Sequence, residues 1–164
     1  MPIGSILEHV AEFKTKLACI TGGEPLSDKD TPSLIEELLS INYTILVETN
    51  GSYDIRMIPQ KAIKIMDIKC PDSGTSHLMH WQNVRYLTKR DEVKFVLHSR
   101  NDYEWAKNVI AEYRLSEVAQ VLIGTVFNAL PPRTVVQWIL EDNLPVRFQL
   151  QLHKYIWDPQ TRGV

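Results

Sequence analysis

The chain has 164 residues, 44% hydrophobic and 23% charged, with a net charge of −2. That length suits one domain, residues 1–164, with a substantial core, and the near-neutral charge argues against a nucleic-acid footprint. No apolar run is long enough to span a bilayer, the opening MPIGSILEHVAEF lacks a secretory pattern, and two cysteines make no disulfide framework, so a reducing cytoplasm is the expected location.

The elements are read in chain order. Residues 3–13 form an amphipathic helix with Ile6, Leu7 and Val10 on one face. Residues 17–21 form a short apolar strand that ends at Gly22 and Gly23. Thr31 or Ser33 caps a helix carrying Leu34, Ile35, Leu38 and Leu39. Residues 43–47 form a strand closed by the turn pair Asn50-Gly51. Residues 50–61 hold no clear helix. Residues 62–68 form a strand, residues 73–83 a polar loop, and residues 93–98 a strand. Asn101 or Asp102 caps a helix over about 103–113.

Residues 121–127 form the next strand. Pro131 and Pro132 suit a helix first turn, and Val135, Val136, Ile139 and Leu140 follow at helical spacing. Residues 146–152 form the last strand. Alternating strands and helices predict an α/β fold with a mainly parallel sheet. The strands are short and apolar, which predicts burial on both faces.

In such folds ligands gather at the carboxyl ends of strands. Polar residues cluster at those positions. Thr21, Gly22, Gly23 and Glu24 follow the first strand; Glu48, Thr49 and Asn50 the second; Asp67 and Lys69 the third. Thr125 and Asn128 close the fifth. Gln149, Gln151 and His153 alternate along the sixth and so project to one side of it.

Each position keeps a plain reading beside the functional one. The glycine pair is either a tight turn or a place where a ligand meets the backbone. It is neither a dinucleotide fingerprint nor a phosphate loop. Lys69 is a solvated rim charge or a point charge for a carboxylate or ribose. His153 is a structural histidine or a substrate hydrogen-bonding group. His77 and His80 have no second ligand pair, so no metal site is assigned. Cys19 within its apolar strand reads as a core residue, and Cys70 beside Pro71 as a buried or half-buried small residue.

The segments TGGEPL, VETNG, DIKCPDSG, RDEVKFVL and LQLHKYIWDPQTRGV, taken together and in order, resemble the 7-carboxy-7-deazaguanine synthases of the radical S-adenosylmethionine superfamily. GGEP points only to the superfamily; the QLHKYIW tail narrows it. The resemblance implies a partial, open TIM-barrel-like (β/α) core. It also implies ring contraction of 6-carboxy-5,6,7,8-tetrahydropterin to 7-carboxy-7-deazaguanine with loss of ammonia, in queuosine and deazapurine biosynthesis. In that chemistry a [4Fe–4S] cluster reduces S-adenosylmethionine, a 5′-deoxyadenosyl radical takes a hydrogen from the pterin, and magnesium assists.

Carried over by position, the resemblance assigns Gly22, Gly23, Glu24, Thr49, Asn50, Asp67, Lys69, Gly124 and Thr125 to S-adenosylmethionine. It assigns Thr21, His153 and Pro159 to the pterin. It implies a homodimer, with no membrane partner.

The family's C-x3-C-x2-C cluster motif does not occur in this sequence. The resemblance therefore implies a chain that is shortened at its N-terminus, without its first β/α unit, and that cannot assemble the cluster by itself. Two other readings stand beside it: a non-catalytic homologue that binds S-adenosylmethionine or a pterin, and a structural or interaction remnant.

Overall fold

The computed structural model describes residues 1–161. Six strands are hydrogen-bonded in sequence order and every pair is parallel. They are β1 (Leu17–Ile20), β2 (Thr44–Thr49), β3 (Ile63–Asp67), β4 (Glu92–Leu97), β5 (Gln120–Thr125) and β6 (Arg147–Phe148). The helices are α1 (Ile3–Ala11), α2 (Thr31–Ser40), α3 (Arg100–Glu112), α4 (Leu115–Val118), α5 (Pro132–Glu141) and α6 (His153–Ile156). This is the expected parallel α/β sheet, as an open fold.

A sheet that winds one way, strand after strand, places its crossovers on one face. Residues on that face are sealed: Val47, Met66, Val93, Phe95, Leu97 and Ile123 have no measurable exposure. Each such side chain contributes about 1.5–3 kcal/mol by leaving water. The opposite face carries Cys19, Leu46, Glu48, Asp67, Lys94 and Val96, which are exposed or half-buried. Burial on both faces therefore holds only at β5, where Leu122 and Gly124 are buried as well. Elsewhere the strands alternate, because the second face is left open apart from the segment Gln149–His153, which comes against β5 and lines a cleft with Glu48, Lys94 and Val96. Cys19 accordingly lies on the open face and not in the core.

Several boundaries differ from the sequence reading. Ser99, not Asn101 or Asp102, caps α3, accepting the Asp102 N–H at 3.2 Å. The Asp102 carboxylate turns inward and accepts the N–H groups of Asp72 and His98. Asp30 precedes α2 without a side-chain cap, and Pro131 precedes α5. The last strand stops at Phe148 and does not continue to residue 152.

The crossovers β2–β3 and β3–β4 have no α-helix, only 3-10 turns. Asn83, fully buried, staples them together. Its amide donates to the carbonyls of Gly51 and Tyr53 at 3.0 and 2.7 Å, and its oxygen accepts the Ile55 N–H at 3.1 Å. Trp81 stacks on Tyr113 of the α3 end at 4.6 Å, closing the same side.

At the amino ends of β3 and β4 sits a buried ion pair. The Asp91 carboxylate accepts the Lys64 backbone N–H at 2.8 Å and its ammonium at 3.4 Å, together with the N–H and hydroxyl of Thr88. Both charged side chains are almost fully excluded from water. Removing one partner strands the other charge, which is far costlier than losing an exposed pair. Asp91→Ala is expected to lower the unfolding free energy by about 3–5 kcal/mol, read from urea denaturation; a loss within experimental error would refute this account of the pair.

Candidate functional site

The carboxyl ends of the strands form the rim of the open face. Two adjoining clefts lie along it. The smaller, about 130 Å³, is lined by Thr21, Gly22, Gly23, Glu48, Thr49, Asn50, Asp67 and Lys69. The larger, about 350 Å³, is lined by Glu48, Lys94, Val96, Gly124, Thr125 and the segment from Gln149 to His153. Glu48 belongs to both. A depression at the opposite end of the sheet, lined by Ile55, Arg56, Lys64 and neighbours, is distant from these polar strand ends.

The structure thus brings together Thr21, Gly22, Gly23, Thr49, Asn50, Asp67 and Lys69 in one cleft. Gly124, Thr125 and His153 gather in the other. Pro159 lies in an exposed turn and lines neither.

Gly22 has φ +115°, a conformation that side-chain-bearing residues rarely adopt, and nothing lies within 4 Å of a Cβ built on it or on Gly23. The bare backbone is therefore open to a ligand. Gly124 answers a different need. A Cβ there would meet the Gln149 carbonyl oxygen at 2.9 Å, so glycine lets the final segment close against β5.

Glu24 is already engaged by the protein. One carboxylate oxygen accepts the Leu26 N–H at 3.2 Å and the Thr49 hydroxyl at 2.8 Å; the other accepts the Asn50 N–H at 2.7 Å. Thr49 in turn accepts the Gly51 N–H at 3.1 Å. Glu24 thus ties the loop after β1 to the end of β2. A carboxylate has about four acceptor positions, so one remains for a ligand.

Asp67 pairs with Lys69 at 2.6 Å through one oxygen. Its other oxygen is buried and has no hydrogen-bond partner, as is the side-chain oxygen of Gln151. Orphaned buried acceptors are costly in a native fold. Two of them lining adjacent clefts mark places where a ligand can supply N–H donors.

Gln149, Gln151 and His153 do not project from a strand, because β6 has ended; the loop and the first turn of α6 carry them to the same cleft wall. Lys94 carries no motif and was not singled out by the sequence reading. The signal for it is parity: Glu92 and Lys94 alternate with Val93 and Phe95, so a strand with one sealed face puts Lys94 on the open one.

With this geometry in place, known proteins can be compared. A 7-carboxy-7-deazaguanine synthase of Chlorobaculum tepidum is 38% identical over 167 residues, covering 100% of this chain and 76% of its own. One from Koribacter versatilis is 37% identical over 159 residues, covering 88% of this chain and 70% of the relative. This chain belongs to the 7-carboxy-7-deazaguanine synthase family. No family model matches it. Among solved structures, QueE from Escherichia coli superposes with a TM-score of 0.73 at 18% identity, over 92% of this chain and 64% of that one. Streptococcus suis SuiB, solved with S-adenosylmethionine bound, gives 0.62 at 11% identity, over 92% of this chain and 44% of that one. Both likenesses speak for the fold. The chain spans about three quarters of the length of the synthases it matches, and less than two thirds of the solved QueE chain.

The [4Fe–4S] cluster that the resemblance implies finds no fit among these residues. A site-differentiated [4Fe–4S] cluster needs three thiolates, and the sequence has two cysteines. Cys70 is buried, and burial, followed by the charge of Asp102, drives its thiol pKa far up. Burial and the charge of Glu48 also raise that of Cys19. No group of three or more His, Cys, Asp or Glu side chains suited to a metal ion occurs among the described residues.

The Glu24 contacts give a direct test of its structural share. Glu24→Gln places an amide donor against one of the existing donors and is expected to cost about 1–3 kcal/mol in the ligand-free protein. Thermal unfolding without ligand reads it. A ligand-only role leaves that midpoint unchanged.

Proposed function

We propose that the two clefts are the S-adenosylmethionine and pterin sites of a 7-carboxy-7-deazaguanine synthase, and that these 164 residues bind and orient the two molecules. The single observation that carries this reading is the pair of clefts joined at Glu48 on the carboxyl rim. It is supported by the family membership.

In this reading the amino-acid end of S-adenosylmethionine lies at Gly22–Gly23. Its ammonium donates to backbone carbonyls, to the spare position on Glu24 and to the orphaned Asp67 oxygen. Lys69, half-exposed beside Asp67, supplies a countercharge at the same cleft. Thr49 and Asn50 hold the floor. In the family reaction S-adenosylmethionine supplies the group that removes a substrate hydrogen. His153 faces the larger cleft, where the pterin lies against the Gln149–His153 wall. Gly124 and Thr125, which the resemblance gives to S-adenosylmethionine, line this cleft too, and Thr21, which it gives to the pterin, lines the smaller one, so in this reading the two molecules meet at the shared Glu48 wall. No step through the cluster or magnesium is assigned to these residues.

The two-cysteine composition favours a second reading, a module that binds S-adenosylmethionine or pterin without radical chemistry. Both readings share the binding prediction. Titration calorimetry with S-adenosylmethionine is expected to show one site per chain, lost in Gly22→Val, whose side chain cannot take φ +115° without strain. Anaerobic iron–sulfur reconstitution of the same polypeptide is expected to give no cluster paramagnetic signal. Absence of S-adenosylmethionine binding would overturn the site reading, and a cluster signal would overturn the account of the cysteines.

A homodimer is part of the same proposal. Within the described residues β1 is hydrogen-bonded on one side only, to β2, and an open edge of this kind favours pairing with a second chain. Light scattering at micromolar concentration is expected to give twice the chain mass, and a monomer mass would count against it.

A further inference from the structure

We infer that Lys94 is the residue that recognises a ligand carboxylate in the larger cleft, and so sets the preference for a carboxylated ring over its uncarboxylated counterpart. This rests on the proposed reading of that cleft as the pterin site.

The argument is one of unmatched charge. Lys94 stands on the open face of β4, half-buried, and lines the larger cleft with Glu48. Two carboxylates flank it on the same face. Asp67 is its register partner on β3, and Glu92 lies two residues back along β4. Each is held by a different cation: Asp67 by Lys69 at 2.6 Å, Glu92 by Arg147 at 2.7 Å. Neither Lys94 nor Glu48 forms an ion pair among the described residues. An ammonium that lines a cleft without an ion-pair partner is left for a ligand's anion to meet. A protein that retains one in a cleft gains most when a ligand brings the anion.

The remaining groups limit what that ligand is. Glu48 can only accept when ionised, and the buried Gln151 oxygen also lacks a donor. The cleft therefore presents one ammonium and two acceptors without protein partners, beside the hydroxyl of Thr125, the amide of Gln149 and the imidazole of His153. The complement is a molecule with a carboxylate and several N–H groups. A 2-amino-4-oxopyrimidine ring bearing a carboxyl group has both. The same ring without the carboxyl group would satisfy the acceptors and leave Lys94 unpaired. Discrimination then comes from an empty ion-pair position, which rejects more strongly than a missing apolar contact.

S-adenosylmethionine also has a carboxylate, so the test separates the two sources. Calorimetry on the full 164-residue chain would compare 7-carboxy-7-deazaguanine, 7-deazaguanine and S-adenosylmethionine, for wild type, Lys94→Met and Lys94→Arg. Met keeps the length and removes the charge. The wild type is expected to prefer the carboxylated base by about tenfold or more, the effect of one desolvated charge pair. Lys94→Met should bind both bases equally, with S-adenosylmethionine unaffected, and Lys94→Arg should keep the preference. Circular dichroism confirms that each variant is folded.

Three results would overturn the assignment. A preference retained in Lys94→Met removes Lys94 from recognition while leaving the pterin site standing. Weakened S-adenosylmethionine binding with unchanged base binding moves the carboxylate to the other ligand. Wild type that binds neither base fails the pterin-site reading, and this inference with it.

Discussion

Everything at this rim depends on where the crossovers run. A parallel sheet wound in one direction buries one face beneath its own connections. Among the described residues the other face is left largely open, with the segment Gln149–His153 along its rim. The strands adapt residue by residue: Val47, Met66, Phe95 and Ile123 seal one side, while Glu48, Asp67 and Lys94 stand on the other. Charge is tolerated in the middle of a strand because that side remains accessible. The open face is thus a by-product of topology before it is a binding surface.

Glu24 shows how closely fold and site are interwoven. Its carboxylate spends three of about four acceptor positions on Leu26, Thr49 and Asn50. The same side chain shapes the loop that exposes Gly22 and Gly23. A substitution there disturbs the scaffold and the ligand contact together, and activity alone could not tell them apart. Asp67 is divided likewise, one oxygen on Lys69 and the other unpaired.

Much of this was legible in the sequence. The alternation of apolar runs with helical spacing identified all six strands, and the polar strand ends named most residues of both clefts. What was missed has physical causes. A short strand such as LACI looks uniformly apolar, which points Cys19 into the core although it stands on the open face. Asp102 matches a cap by type, yet its carboxylate bridges Asp72 and His98, a contact across 30 residues that no local pattern shows. The tail's alternation of Gln149, Gln151 and His153 matches a strand, but the strand ends at Phe148 and a loop and short helix bring the same three residues to one wall. Lys94 has no neighbouring motif and becomes visible only once the register beside Asp67 is known.

One carboxylate wall serves two compartments here, since Glu48 lines both clefts. In the proposed reading, any coupling between molecules seated on either side of it is reciprocal. Whatever free energy the first occupant adds to or withdraws from the second, the second returns to the first in equal measure. The order in which the clefts fill then alters the route and leaves the final affinity of the ternary complex unchanged.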